Sequence, residues 1–130
     1  ILVLETPLSF LHRDSRAYVS QREVGSEVAN YAVGIRDALR MGTDLLGLAD
    51  MPDRETADAM LSAAERDVPV VACVGARIAA DATWWVTRLF DGMHRVDAER
   101  RLTNVLRQVI GDPALPGASE PRPRSEGSDR

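Results

Sequence analysis

The sequence predicts an α/β fold in which a mostly parallel sheet is flanked by helices. Three short apolar runs, Ile1–Leu4, Leu45–Ala49 and Val68–Val74, have the length and continuity of strands buried in such a sheet. The stretches between them carry apolar residues at helical spacing, and strands alternating with helices imply parallel pairing. With 130 residues and 45% of them hydrophobic, the chain is long enough for one modest core.

Taken in order, Ile1 to Leu4 is a strand buried on both faces, stopped by Glu5, Thr6 and Pro7. Nothing precedes it, so the chain reads as a fragment, and its opening lacks the features of a secretory signal. Tyr18 to Val24 is a more polar strand. Ser26 is the candidate N-cap of a helix whose inner face holds Val28, Tyr31, Ala32, Ile35 and Leu39, and Gly42 ends it. Leu45 to Ala49 is the next strand, with Asp50 at its carboxyl end. Asp53 caps the following helix, with Ala57, Met60, Leu61 and Ala64 inward. Val68 to Val74 is the most β-branched run and reads as the central strand. One helix then places Ala82, Trp85, Val86 and Leu89 on a face, and another, capped by Asp97, does so with Leu102, Val105, Leu106 and Val109. Beyond Gly111, residues 112–130 are Pro, Gly, Ser and charge with almost nothing apolar, a tail predicted to be disordered.

Composition narrows the functions. No apolar run approaches the roughly 18 residues of a membrane span. A net charge of −4 argues against nucleic acid, which wants a concentrated basic face. The single Cys73 and the distant His12 and His94 cannot assemble a Cys/His zinc cage, and one cysteine suits a reducing cytoplasm. All sixteen basic residues are arginine, so an intact phosphate-binding loop, which ends in lysine, is absent from this sequence.

In parallel sheets ligands gather at the carboxyl ends of strands, which directs attention to Glu5, Asp50 and the loop after Val74. An acid closing an apolar strand, as in Asp44-Leu-Leu-Gly-Leu-Ala-Asp50, has the form of a Walker B element that holds Mg²⁺ through water or orients an attacking water. Taken alone, the motif favours the plainer reading in which Asp44 ends a turn and Asp50 caps or approaches the next helix, and Glu5 can equally be an exposed strand end.

Read together, these segments resemble one family. The run Ile1-Leu2-Val3-Leu4-Glu5-Thr6-Pro7-Leu8-Ser9-Phe10-Leu11-His12 is similar to the Asp-box segment ILTIEDPIEFVH of the type II secretion and type IV pilus ATPases. Val19-Ser20-Gln21-Arg22-Glu23-Val24-Gly25 resembles their VNQREVG, and Ile35 to Arg40 their LRSALR. Asp44 to Thr56, DLLGLADMPDRET, resembles the Walker B stretch DIILVGEMRDLET, and Ala63-Ala64-Glu65 the AAETGH that follows.

The resemblance implies a RecA-like P-loop NTPase core over residues 1–111, specifically its C-terminal part without the Walker A segment, with the P-loop strand beside the Walker B strand. It implies ATP and Mg²⁺, bound only when the missing half is supplied, with Glu5 and Asp50 catalytic and Asp50 reaching Mg²⁺ through water. It further implies a hexameric homo-oligomer in the cytoplasm that serves a pilus or secretion machine and meets the membrane only through partners. Arg22, Arg36 and Arg40 are candidates for the nucleotide or subunit interface, where arginine stabilises phosphate charge; the alternative is pairing with carboxylates such as Glu23 or Asp37, or solvation.

Departures from the family pattern bear on chemistry. Thr6 and Ser9 stand where two Asp-box acids are expected, Asp50 replaces a glutamate, Pro52 an arginine and Gly75 a histidine. The QREVG and arginine-helix segments, read as scaffold, are nearly intact. That combination predicts a retained fold with weakened catalysis, or a non-hydrolysing relative used in assembly or regulation. A free-standing phosphoacceptor domain is disfavoured, because no lysine is available to pair with a phosphoryl group.

Overall fold

Alternate residues of a strand share a face, and in β1 (Leu2–Glu5) Leu2 and Leu4 are buried while Val3 and Glu5 are half-buried. One face of this strand is therefore sealed and the other partly open, where the apolar run had suggested burial on both. The computed structural model describes residues 1–8 and 10–111; the predicted disordered tail, 112–130, lies outside them.

The chain divides into two compact units, the first spanning Ile1–Val74. Its strands β1, β2 (Ser20–Glu23), β3 (Leu46–Leu48) and β4 (Val70–Ala72) are all parallel, in the order β2-β1-β3-β4. The register sets Leu4 beside Leu48, and Leu48 beside Ala72. Helix α1 (Tyr31–Arg40) links β2 to β3, and α2 (Arg54–Glu65) links β3 to β4. Both crossovers advance in the same direction across the sheet, which puts the two helices on one face, where they pack against each other. The core between helices and sheet is Leu2, Leu4, Leu46 and Leu48 against Ala32, Ile35, Ala38, Ala57, Met60 and Leu61. At Gly34 the helix comes so close to β1 that an added Cβ would lie 2.7 Å from Leu4 Cδ1.

Helix ends follow local chemistry. Asp53 caps α2 as predicted, its Oδ1 accepting from the Thr56 amide at 2.8 Å. Gly42 adopts φ +69° just past α1. The cap of α1, however, is Asn30, whose Oδ1 accepts from the Val33 amide at 2.9 Å. Ser26 is used otherwise, donating to Glu23 Oε2 at 2.8 Å, and Val28 forms a bridge with Val24 ahead of the helix. In α2 the fourth inward residue is Ala63, with Ala64 half-buried.

Two sheet expectations are corrected. The Val68–Val74 run supplies β4, which is an edge strand with Val71 63% exposed, and not the central one. A β-branched run reports a fit to a pleated, half-buried surface, which an edge satisfies as well as a centre. Nor can a P-loop strand lie beside β3, because β1 and β4 already occupy both of its sides; among the described residues the free edges are those of β2 and β4.

The second unit begins at Gly75 and holds a 3-10 turn (Ala79–Asp81), α3 (Ala82–Thr87) and α4 (Gly92–Val105). Among its described residues Val86, Phe90, Ala98 and Leu102 are the buried apolar ones, and the Arg88 guanidinium lies 4.3 Å over the Trp85 ring. The last helix starts earlier than the sequence suggested: Asp97 sits inside it, paired with Arg100 at 2.7 Å, and Leu106 and Val109 lie past its end, each 38% exposed. Its first turns carry exposed Met93 and Val96, which hide the helical period from a reading based on apolar spacing. Among the described residues no helix is long and apolar enough to cross a membrane.

Candidate functional site

Parallel pairing brings the carboxyl ends of all four strands to one edge of the sheet. Glu5 closes β1, and the Ala49 amide donates to the Leu4 carbonyl, so Asp50 follows one residue beyond the paired end of β3. The two candidate catalytic residues thus stand at the carboxyl ends of adjacent strands, Glu5 on β1 and Asp50 just past β3. Cys73, exposed, lies just past β4 on that edge, its amide donating to the Leu48 carbonyl. Asp50 is exposed, and its Oδ1 accepts from the Met51 amide at 2.7 Å. Glu5 is half-buried and its Oε2 accepts from Gln21 Nε2 at 3.1 Å.

Gln21 does more than fill β2. Its amide nitrogen also donates to the Phe10 carbonyl, and its Oε1 accepts from the His12 amide at 2.7 Å. Glu23, two residues on and on the same side of the strand, accepts from the Leu8 amide at 3.1 Å and from the Ser26 hydroxyl. Two side chains of β2 therefore tie down the loop after Glu5 and fix the Glu5 carboxylate. The reading of this segment as scaffold missed that role; the signal was present, since Gln21 and Glu23 sit at period two beside a candidate acid.

The Ser26 hydroxyl, followed by the Leu8 amide, holds the Glu23 carboxyl below its ordinary 4.5. A depressed carboxylate contributes stability that is complete above its unfolded value and is lost as pH falls through its folded one. Glu23→Gln is accordingly expected to flatten the acid limb of the stability curve below about pH 4.5, read by denaturant unfolding between pH 3 and 7. An unchanged acid limb in the variant would show that these contacts do not form in solution.

The tyrosine that opens α1 is a second residue the sequence reading placed only in the core. Tyr31 is 4% exposed, and burial, then Asp50, Glu5 and Cys73, push its phenol up. As the first residue of α1, which is entered from the carboxyl end of β2, Tyr31 stands toward the same edge.

The three arginines do not gather there. Arg36, exposed, pairs with Glu55 at 3.0 Å. Arg40 pairs with Asp37 on its own helix and stands at the end of α1 opposite Tyr31, about 13 Å along the axis. Arg22 reaches the Met41 sulfur at 3.4 Å, just past that far end. Among the described residues no group of three or more His, Cys, Asp or Glu side chains is placed to hold a metal ion. Glu5 and Asp50 carry oxygen donors, the ligand type that hard cations take.

No family model matches the sequence. Among individual proteins, the chain is 34% identical over 110 residues to the uncharacterized protein YggR of Escherichia coli K12, and 30% identical over 110 residues to the type IV pilus retraction ATPase PilT of Pseudomonas aeruginosa. The fold agrees: the chain superposes with a TM-score of 0.75 and 27% identity on the pilus retraction motor PilT with bound ADP. Its relatives and structural neighbours are pilus and secretion ATPases, consistent with a member of the type IV pilus and secretion ATPase family. A second solved member of that family, the ATPase DotB of Legionella pneumophila, matches at a TM-score of 0.74 and 29% identity. These matches cover 85% of the chain in the two sequences and 82% in the two structures. The chain spans about a third of its relatives, 34% of YggR and 32% of PilT.

Proposed function

We propose that this chain supplies the Glu5 and Asp50 side of the nucleotide site of a motor ATPase that acts on a pilus or secretion machine. The observation that carries this reading is the placement of both carboxylates at the carboxyl ends of adjacent parallel strands in a fold shared with an ADP-bound pilus motor. Homology to the pilus ATPases supports the motor role. The phosphate-binding loop has to come from outside these residues, since the sequence contains no lysine.

In this reading ATP and Mg²⁺ bind at the edge, and the cation offsets the charge of the phosphates. Asp50 holds the cation through water or orients the attacking water, and Glu5, fixed by Gln21, polarises that water. Arg22, Arg36 and Arg40 serve contacts between subunits of a cytoplasmic, hexameric ring, with pilus or secretion components as the further partners and no role for nucleic acid. Catalysis is weakened, because Asp50 is shorter than the glutamate of the family pattern and is turned onto its own backbone at Met51. That same engagement favours a second reading, a non-hydrolysing relative used in assembly or regulation.

The test is ATP turnover by the full-length gene product against its Asp50→Ala variant. A loss of about 100-fold is expected on removing a group that positions water or metal. Equal rates in the two proteins would end the motor reading and leave the non-hydrolysing one.

A further inference from the structure

Phenylalanine would fill the space of the Tyr31 ring as well as tyrosine does, yet the chain places a hydroxyl there. Among the described residues Tyr31 Oη has no hydrogen-bond partner, although the atom is buried and the residue is only 4% exposed. Buried hydroxyls are nearly always bonded, and leaving one unmade costs stability. The packing of α1 on the sheet gives no reason to keep it.

Its position gives one. Tyr31 is the first residue of α1, entered from the carboxyl end of β2, so it stands at the edge where Glu5, Asp50 and Cys73 end their strands. Carboxylate oxygens there act as hydrogen-bond acceptors. A phosphate brings more acceptors and cannot be held by carboxylates without a cation or donors beside them. Tyr31 is a donor in that company, and burial together with the neighbouring acids keeps its phenol protonated and neutral.

We propose that Tyr31 is a ligand-binding residue of this site, its phenolic hydroxyl donating to an oxygen of the terminal phosphate of bound nucleotide. The assignment rests on the nucleotide reading above and adds a residue that reading did not contain. In that reading the terminal phosphate meets Glu5 and Asp50, two of the groups whose charge reaches the Tyr31 phenol. Among the described residues the hydroxyl has no partner, and bound nucleotide would give it an anionic acceptor.

The test uses the full-length gene product and its Tyr31→Phe variant, with thermal melting in the absence of nucleotide and calorimetric binding of Mg·ATPγS and Mg·ADP. Without nucleotide the variant is expected to melt at or above the wild-type temperature, since it loses only an unpaired group. Its affinity for Mg·ATPγS is expected to fall about tenfold, the value of one hydrogen bond to a charged acceptor, and its affinity for Mg·ADP to stay within about twofold. A variant that melts well below wild type without nucleotide would show that the hydroxyl has a partner inside the protein and would overturn the proposal. Unchanged Mg·ATPγS affinity in Tyr31→Phe, alongside lost turnover in Asp50→Ala, would overturn the tyrosine alone. A wild-type protein that binds neither nucleotide would overturn both.

Discussion

Lengthening Asp50 to glutamate is expected to raise ATP turnover of the full-length gene product by about tenfold or more. The expectation follows from reach. Asp50 follows the paired end of β3 by one residue, and its Oδ1 is bound to the Met51 amide at 2.7 Å, so the carboxylate is drawn back toward its own backbone. A glutamate at this position extends by a further methylene, and an error of about an ångström at a reacting centre is worth up to roughly 100-fold in rate. Nucleotide affinity should change little, since the gain is made in positioning. Single-turnover kinetics of Asp50→Glu beside wild type check this. A variant no faster than wild type would show that Asp50 length does not limit the rate.

Leu4→Ala is expected to destabilise the fold by about 2–5 kcal/mol, as for other buried leucines. Leu4 is fully buried, pairs in register with Leu48 and fills the space that Gly34 leaves beneath α1, so truncation opens a cavity between helix and sheet. The surrounding backbone cannot close it, because the strand is bonded on both sides. Arg100→Ala, which removes an exposed ion pair with Asp97, is expected to cost far less. Equilibrium urea unfolding compares the two, and similar losses would place the core elsewhere.

What could be read in advance was what depends on short stretches of chain. The strand-end positions of Glu5 and Asp50 were legible because an apolar run ending in an acid marks a strand end, and Asp53 because a cap acts on the amide three residues ahead. The choice between Ser26 and Asn30 was not local: both are good caps, and Ser26 is taken by the Glu23 carboxylate, which also receives the Leu8 amide from across the unit. Sheet order depends on how crossovers advance, so the Val68–Val74 run gave no sign that it forms an edge. Tyr31 looked like one more residue of an apolar stripe, since spacing reports that a ring is buried and says nothing of where its hydroxyl ends. Gln21 was hidden for the converse reason: it reaches Glu5 only through the pairing of β1 with β2.

Affinity cleavage measures the location of the site most directly. With Fe²⁺ in place of Mg²⁺ and ATP bound to the full-length gene product, radicals formed at the metal cut the nearest backbone. Cuts are expected in two separate stretches, Glu5 to Leu8 and Ala49 to Met51, which the sheet brings to one edge, and none at Arg40 to Gly42 past the opposite end of α1. Cuts at Arg40 to Gly42, or none that depend on ATP at Glu5 and Asp50, would contradict a nucleotide site at the carboxyl edge of β1 and β3.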